Sequence, residues 1–162
     1  MLPKEEILKG VENREEITRV IDIAEQAIKT WETVCTDFLS PPVAVEAQDK
    51  FSPLTEIQFM VWGGYPQAER VRMGITRAEL PLDQSQVPIA ALDVSGNFLF
   101  DTANHRDFLG AILGTGVVRQ KVGDIVVLGE RGAQILVVPE LVSFLEANLN
   151  QVRSVPVKTR EI

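Results

Sequence analysis

The sequence predicts an α+β protein with a helical N-terminal region and a small βαβ-type module, followed by a βαββαβ plait. Three observations carry this reading. Apolar residues recur at spacings of three and four from about Glu15 to Phe38, as one face of a long helix requires. A strongly apolar run, Thr55 to Trp62, has the composition of a strand and is broken by Gly63-Gly64-Tyr65-Pro66. From residue 88 onward, strand-like and helix-like stretches alternate in the order strand, helix, strand, strand, helix, strand.

Taken in order, residues 3–10 read as a short helix. The long helix follows, with Ile17, Val20, Ile21, Ala24, Ile28, Trp31, Val34, Cys35 and Phe38 on its stripe. Asn13 with Glu16 three residues later has the form of a capping box. Ser40-Pro41-Pro42 is expected to stop the helix, because proline lacks the next backbone donor. Residues 42–51 fit a further helix. After the strand at 55–62, Gln67–Arg70 can form a helical turn and Val71–Ile75 a return strand. Leu80–Gln86, with Pro81 and Pro88 nearby, reads as a linker, so the modules are expected at 1–80 and 87–158. In the second module, strands are expected at 88–94, 124–128, 133–138 and 151–157, with helices at 105–113 and from Pro139 to about 149. That order is the split βαβ of an RRM-like or ferredoxin-like plait.

Composition narrows the functional classes. Apolar residues make up 45% and charged residues 24%, enough apolar material for a core without staples. A lone cysteine, Cys35, rules out an internal disulfide and suits a cytoplasmic protein. No apolar run reaches 18 residues, and the N-terminus turns acidic at once instead of opening a signal peptide. The net charge of −7 argues against a protein that simply coats nucleic acid. Residues 1–50 carry −5, residues 51–100 carry −2 and residues 101–162 balance to zero. A polyanion site would therefore be a local patch in the second half or near Arg70–Arg77.

Two segments carry a recognisable pattern. One is Gly63-Gly64-Tyr65-Pro66-Gln67-Ala68-Glu69-Arg70-Val71-Arg72. The other runs from His105-Arg106-Asp107-Phe108-Leu109-Gly110 through Gly116-Val117-Val118-Arg119-Gln120-Lys121-Val122-Gly123. Together they resemble the YlmH family over nearly the whole chain. The acidic N-terminal half is most similar to its cyanobacterial and plastid branch of photosystem II-associated RNA-binding proteins. The resemblance implies an RNA-binding region of this kind and a small further RNA-binding domain beyond Ile162, so that the chain would be a fragment. It also implies a link to cell division and to stalled peptidyl-tRNA on the large ribosomal subunit.

The residues themselves offer several sites. In the glycine-tyrosine-proline turn, Tyr65 has a face for stacking a base, while Arg70 and Arg72 share one side of a strand and suit phosphates. The alternative is a tight turn with Tyr65 in the core and Arg70 on a carboxylate. His105 and Arg106 would project from a helix start that Asn104 can cap, a phosphate site in form; the alternative makes His105 and Asp107 structural caps. Arg119 and Lys121 alternate with valines between glycines and would reach phosphate from one side of an extended loop, or form a solvated basic turn. Gly114-Thr115-Gly116 lacks the third glycine of a dinucleotide fingerprint, and no P-loop exists. One histidine and one cysteine do not make a usual zinc site, so neither metal nor cofactor is expected. In an RRM, aromatics on the central strands read RNA; here Arg131-Gly132 fit the third-strand pattern, but Ala133, Ile135 and Val137 stand where aromatics are expected.

The leading expectation is therefore a non-catalytic protein that binds ribosomal RNA or tRNA, with Arg70, Arg72, Arg106, Arg119 and Lys121 on phosphates and Tyr65 and His105 on bases. A rival reading is a protein-interaction module docking through its acidic N-terminal helix, with Glu15 and Glu16 foremost. A third is a hydrolase using His105 and Asp107, although no nucleophile stands near them in sequence; a pairing with Cys35 also stays open.

Overall fold

The stripe that begins at Ile17 does make a helix, but a shorter one than its spacing implies. The computed structural model describes residues 2–63 and 69–162. It divides into two units, Met1–Val87 and Pro88–Ile162. In the first, a short helix α1 (Lys4–Ile7) precedes α2 (Arg14–Thr30), whose buried face is Ile17, Val20, Ile21, Ala24 and Ala27. Trp31 then takes the left-handed conformation at φ 59° and the helix ends. Val34, Cys35 and Phe38, expected on the same stripe, lie instead in strand β1 (Val34–Leu39). Thr33, Val34 and Thr36 are β-branched, which disfavours helix and favours a pleated strand.

The expected capping box at Asn13 and Glu16 does not form. Glu46, 33 residues further on, takes its place. Its carboxylate accepts from the Glu12 N–H at 2.8 Å, the Asn13 N–H at 2.9 Å and Asn13 Nδ2 at 2.7 Å. Those bonds, the one from Glu12 foremost, hold the Glu46 carboxyl below the usual carboxylate range. A depressed carboxyl stabilises the fold above its unfolded value of about 4.3, and that contribution is lost as pH falls through the native value. Glu46→Gln is therefore expected to lower the melting temperature near neutral pH. It should also flatten its fall on acidification, which thermal unfolding at a series of pH values checks.

Ser40-Pro41-Pro42 begins a helix, contrary to the expected stop. The prolines occupy the first positions of α3 (Pro41–Phe51), where no intrahelical donor is needed. Strands β2 (Ile57–Trp62) and β3 (Val71–Arg77) complete a three-stranded sheet in the order β1-β3-β2, with antiparallel neighbours. β1 and β2 thus run parallel on either side of β3, with α3 crossing between them. This differs from the expected βαβ-type module, in which the helical turn lay between the strands at 55–62 and 71–75. Residues 64–68 of that turn lie outside the described residues. Helix α2 packs on β1 and β3, and α3 on α2 and β2, around Ile17, Ile21, Phe51, Met73 and Ile75.

The stretch expected as a linker is bound to this sheet. Asp83 caps a 3-10 turn at Gln84–Gln86. Gln86 Nε2 donates to Thr33 Oγ1 at 2.8 Å, Trp62 Nε1 donates to the Val87 carbonyl at 2.7 Å, and Gln58 Nε2 donates to the Leu80 carbonyl. Val87 is fully buried.

The second unit contains β4 (Ala90–Gly96), α4 (His105–Gly114), β5 (Val122–Val127), β6 (Gly132–Val137), α5 (Val142–Asn148), β7 (Gln151–Val152) and β8 (Val155–Glu161). Its sheet has the order β5-β6-β4-β8-β7, again with antiparallel neighbours. The final strand expected at 151–157 is a hairpin, turned at Arg153 with φ 55°. Leu92, Phe98, Phe108, Ile112, Ile135 and Leu145 form the centre of the core. Ala133, Ile135 and Val137 belong to that core, so they do not occupy the sheet face where a base could stack. The alternates on β6, on the other face, are half-buried Gln134 and buried Leu136. Gly132 sits at φ 135°, where a Cβ would lie 1.9 Å from the Val94 carbonyl oxygen.

Candidate nucleic-acid interface

Of the seven residues expected to contact RNA, Tyr65, Arg70 and Arg72 belong to the first unit and His105, Arg106, Arg119 and Lys121 to the second. In the first unit, Tyr65 lies outside the described residues. Arg70 and Arg72 serve the sheet. The pairing of β1 with β3 is irregular between Cys35 and Phe38, and such a bulge leaves backbone groups without ladder partners. Arg72 Nε donates to the Thr36 carbonyl at 2.8 Å, and Arg70 Nη2 to the Phe38 carbonyl at 3.2 Å. The Thr36 hydroxyl accepts from the Met73 N–H at 3.0 Å. Arg72 is 7% exposed. The two-residue spacing that suggested a phosphate clamp is thus used to satisfy carbonyls at an irregular strand. Cys35 also lies in this strand, its Sγ 3.1 Å from the Gln86 carbonyl oxygen.

In the second unit, His105 and Arg106 are exposed on the first turn of α4. Asn104 and Asp107 cap that turn reciprocally: the Asp107 N–H donates to Asn104 Oδ1 at 3.1 Å, and the Asn104 N–H to Asp107 Oδ2 at 2.8 Å. Asp107 Oδ2 also lies 3.7 Å from Arg153 Nη1. The carboxylate on which a His105–Asp107 reaction would depend is engaged in the cap.

Arg119 and Lys121 lie in a 3-10 turn, Arg119–Lys121, where an extended loop was expected. Arg119 Nη1 donates to the Val122 carbonyl at 2.7 Å. Burial lowers the Arg119 pKa from its ordinary value, against the opposing charge of Asp124. Lys121, half-buried, lines a groove with Gly116, Val117, Val118, Leu141 and Phe144.

Two cations outside the expected set stand in better positions. Along β8, Val155 and Thr159 are buried and Val157 is partly so, while Lys158 and Arg160 are exposed. The Thr159 hydroxyl donates to the Leu149 carbonyl at 2.7 Å, on the helix-covered side. Lys158 and Arg160 therefore fall on the opposite face. Lys158 pairs in register with Ser95, and Arg160 with Asp93, which itself faces Gln134 across β6. The sequence signal for them is the alternation Val155-x-Val157-x-Thr159, which a strand ending at 157 cuts short. Arg131, in the turn before β6, is also exposed. Among the described residues no cluster of side chains suits a metal ion, and no helix is long and apolar enough to cross a membrane.

On α2 the acidic face is partly paired within the unit: Asp22 with Lys4 at 2.8 Å, and Glu15 with Arg19. Residues 1–87 carry −6 and residues 88–162 carry −1.

Comparison with known proteins follows the same division. Residues 12–80 match the family model described as "YlmH, N-terminal", and residues 83–162 the one described as "Putative RNA-binding domain in YlmH". The ribosome-associated protein quality control protein P2 of Bacillus subtilis (strain 168) is 32% identical over 127 residues, 78% of this chain and 49% of that protein. The chain thus spans about half the length of that curated relative. The solved structure of the cell division protein ylmH from Streptococcus pneumoniae matches with a TM-score of 0.80 at 20% identity, covering 94% of this chain and 92% of that one. That likeness speaks for the mixed α/β fold. With both halves matched in their family order, the chain belongs to the YlmH family.

Proposed function

We propose that this chain is a non-catalytic RNA-binding protein that contacts structured ribosomal RNA or tRNA on the large ribosomal subunit through its second unit. The observation that carries this is the match of residues 83–162 to the family's RNA-binding domain. The named role of the Bacillus relative supports a ribosomal partner, and a cytoplasmic site of action goes with it. The order β5-β6-β4-β8 fits the split-βαβ plait. The sheet face away from the core lacks the aromatics of an RRM; Lys158, Arg160 and Ser95 are exposed on it, beside half-buried Asp93 and Gln134 and buried Leu136. Such a face suits phosphate and ribose better than bases. Arg106 and Arg131 extend the cationic set, while Arg70, Arg72 and Arg119 hold backbone carbonyls. Membership of the cyanobacterial and plastid branch rests on the acidity of the first unit.

Co-sedimentation with isolated large ribosomal subunits tests this reading. Binding is expected to weaken steeply as salt rises. The double variant Lys158→Glu/Arg160→Glu is expected to bind about tenfold more weakly, with the salt slope reduced by about one for each phosphate no longer neutralised. Salt-insensitive association, or a double variant that binds as wild type, would remove this surface from the interface. Loss on Glu15→Lys/Glu16→Lys instead would favour docking of a basic protein on α2.

A further inference from the structure

The second unit contains four aromatic side chains, Phe98, Phe100, Phe108 and Phe144. Phe98 and Phe108 are buried, with ring centroids 5.4 Å apart. Phe144 is half covered in the groove beside Val118. Phe100 is 93% exposed, next to Leu99 at 48%. Leaving a phenylalanine in water forgoes most of the stabilisation that its burial would give, and this one stands in a segment that is otherwise tied down.

The segment between β4 and α4 is held along its length. Phe98 anchors it in the core, and its N–H donates to the Glu130 carbonyl at 2.9 Å. The Leu99 N–H donates to Asn97 Oδ1 at 3.2 Å. Asp101 accepts from Ser154 Oγ at 3.0 Å and pairs with Arg153 Nη2 at 3.2 Å. Arg153 Nη1 donates to the Thr102 carbonyl at 3.2 Å. Each of these tethers is on the residues either side of Phe100. The ring is thus presented by a preorganised loop, which lowers the ordering cost of a contact.

Its surroundings select the partner. The tethers bring this loop to the β5–β6 turn, which carries exposed Arg131, and to the β7–β8 turn. They also lead into α4 with exposed His105 and Arg106. Lys158 lies opposite Ser95 at the same end of the sheet. Two of the carboxylates there, Asp101 and Asp107, are engaged by Arg153. A flat apolar ring among cations is complementary to a stacked base flanked by its phosphates. Arg106, Arg131 and Lys158 outnumber the further exposed carboxylate of these turns, Glu130.

We propose that Phe100 is a base-stacking residue that receives an unpaired nucleotide of the RNA, with Arg106, Arg131 and Lys158 on the flanking phosphates. This deepens the RNA-binding reading and rests on it. It gives the second unit a preference for RNA with an extruded or single-stranded base, made at the sheet's end and not on its face.

The test uses two labelled RNA probes, a paired duplex and the same duplex with one bulged 2-aminopurine, titrated by anisotropy against the full chain. Wild type is expected to prefer the bulged probe by about tenfold and to change its 2-aminopurine emission. Phe100→Ala and Phe100→Leu are expected to lose that preference and the emission change while binding the paired duplex as wild type does. Phe100→Trp is expected to keep both. Exposure of the ring makes loss of folding in these variants unexpected. A preference that survives Phe100→Ala, no preference in wild type that still binds duplex, or equal weakening on both probes overturns stacking and leaves RNA binding standing. Failure of wild type to bind either probe overturns both readings together.

Discussion

Gly132→Ala is expected to abolish the folded second unit. Two independent facts point the same way. The residue sits at φ 135°, a region that side chains with a Cβ rarely adopt. A Cβ there would also lie 1.9 Å from the Val94 carbonyl oxygen, 2.9 Å from its carbon and 3.1 Å from Ser95 Cα. All three are backbone atoms of β4, the strand on which β6 is paired, with Gly132 opposite Ser95. No rotamer change can relieve the clash; the strands must part. A cost at or above about 4 kcal/mol follows from such a mechanism, most of what a small domain possesses. Trp31 and Trp62 both lie in the first unit, so tryptophan fluorescence is blind to this loss. Amide hydrogen exchange is the measurement: protection in β4, β6 and β8 should vanish. Protection retained at those amides would show that the Gly132 backbone can relax.

Arg72→Ala is expected to destabilise the first unit by about 3 kcal/mol, the scale for removing one member of a buried, hydrogen-bonded charged group. Truncation strips the Thr36 carbonyl of a charged donor where the register of β1 with β3 breaks, and it empties the volume of a long side chain on the face shared with Trp62, its partner on β2. Here tryptophan fluorescence is the right probe, and the midpoint of denaturation should fall. RNA affinity should stay at the wild-type level under conditions where the variant is folded. A variant equally stable but deficient in RNA binding would restore Arg72 to the interface.

Where an element is visible in the sequence, a strong local signal is the reason. The capped start of α4 is readable from Asn104 and Asp107, because both halves of that reciprocal bond lie within one turn. The cap on α2 is not readable, because Glu46 reaches it from another helix and only tertiary structure brings the two together. The overlong helix fails at Trp31, since Val34, Cys35 and Phe38 continue the spacing by coincidence while their β-branched neighbours favour a strand. The candidate site suffers from the same blindness to long-range partners. Arg70, Arg72 and Arg119 are arginines of the right type in the right pattern, yet backbone carbonyls claim them. Lys158 and Arg160 are hidden by a strand boundary placed too early. Phe100 has no motif around it, and its significance lies in exposure, which sequence does not state.

The place of β4 in its sheet has a consequence for biosynthesis. It is the first strand of the second unit to leave the ribosome, but its two neighbours are β6 and β8, and the latter is the last strand of that sheet to be made. Until residues 155–161 emerge, one edge of β4 has no partner, and an open edge is a template for pairing with other chains. The first unit waits as well, since β1 and β2 pair only with β3, but all of its strands and the tether at Val87 precede residue 88. Vectorial synthesis therefore favours a nascent chain with its acidic half already closed and its RNA-binding half unfinished. The basic strand that carries Lys158 and Arg160 is also the one that seals the sheet, so completing the fold and completing the cationic face are a single event.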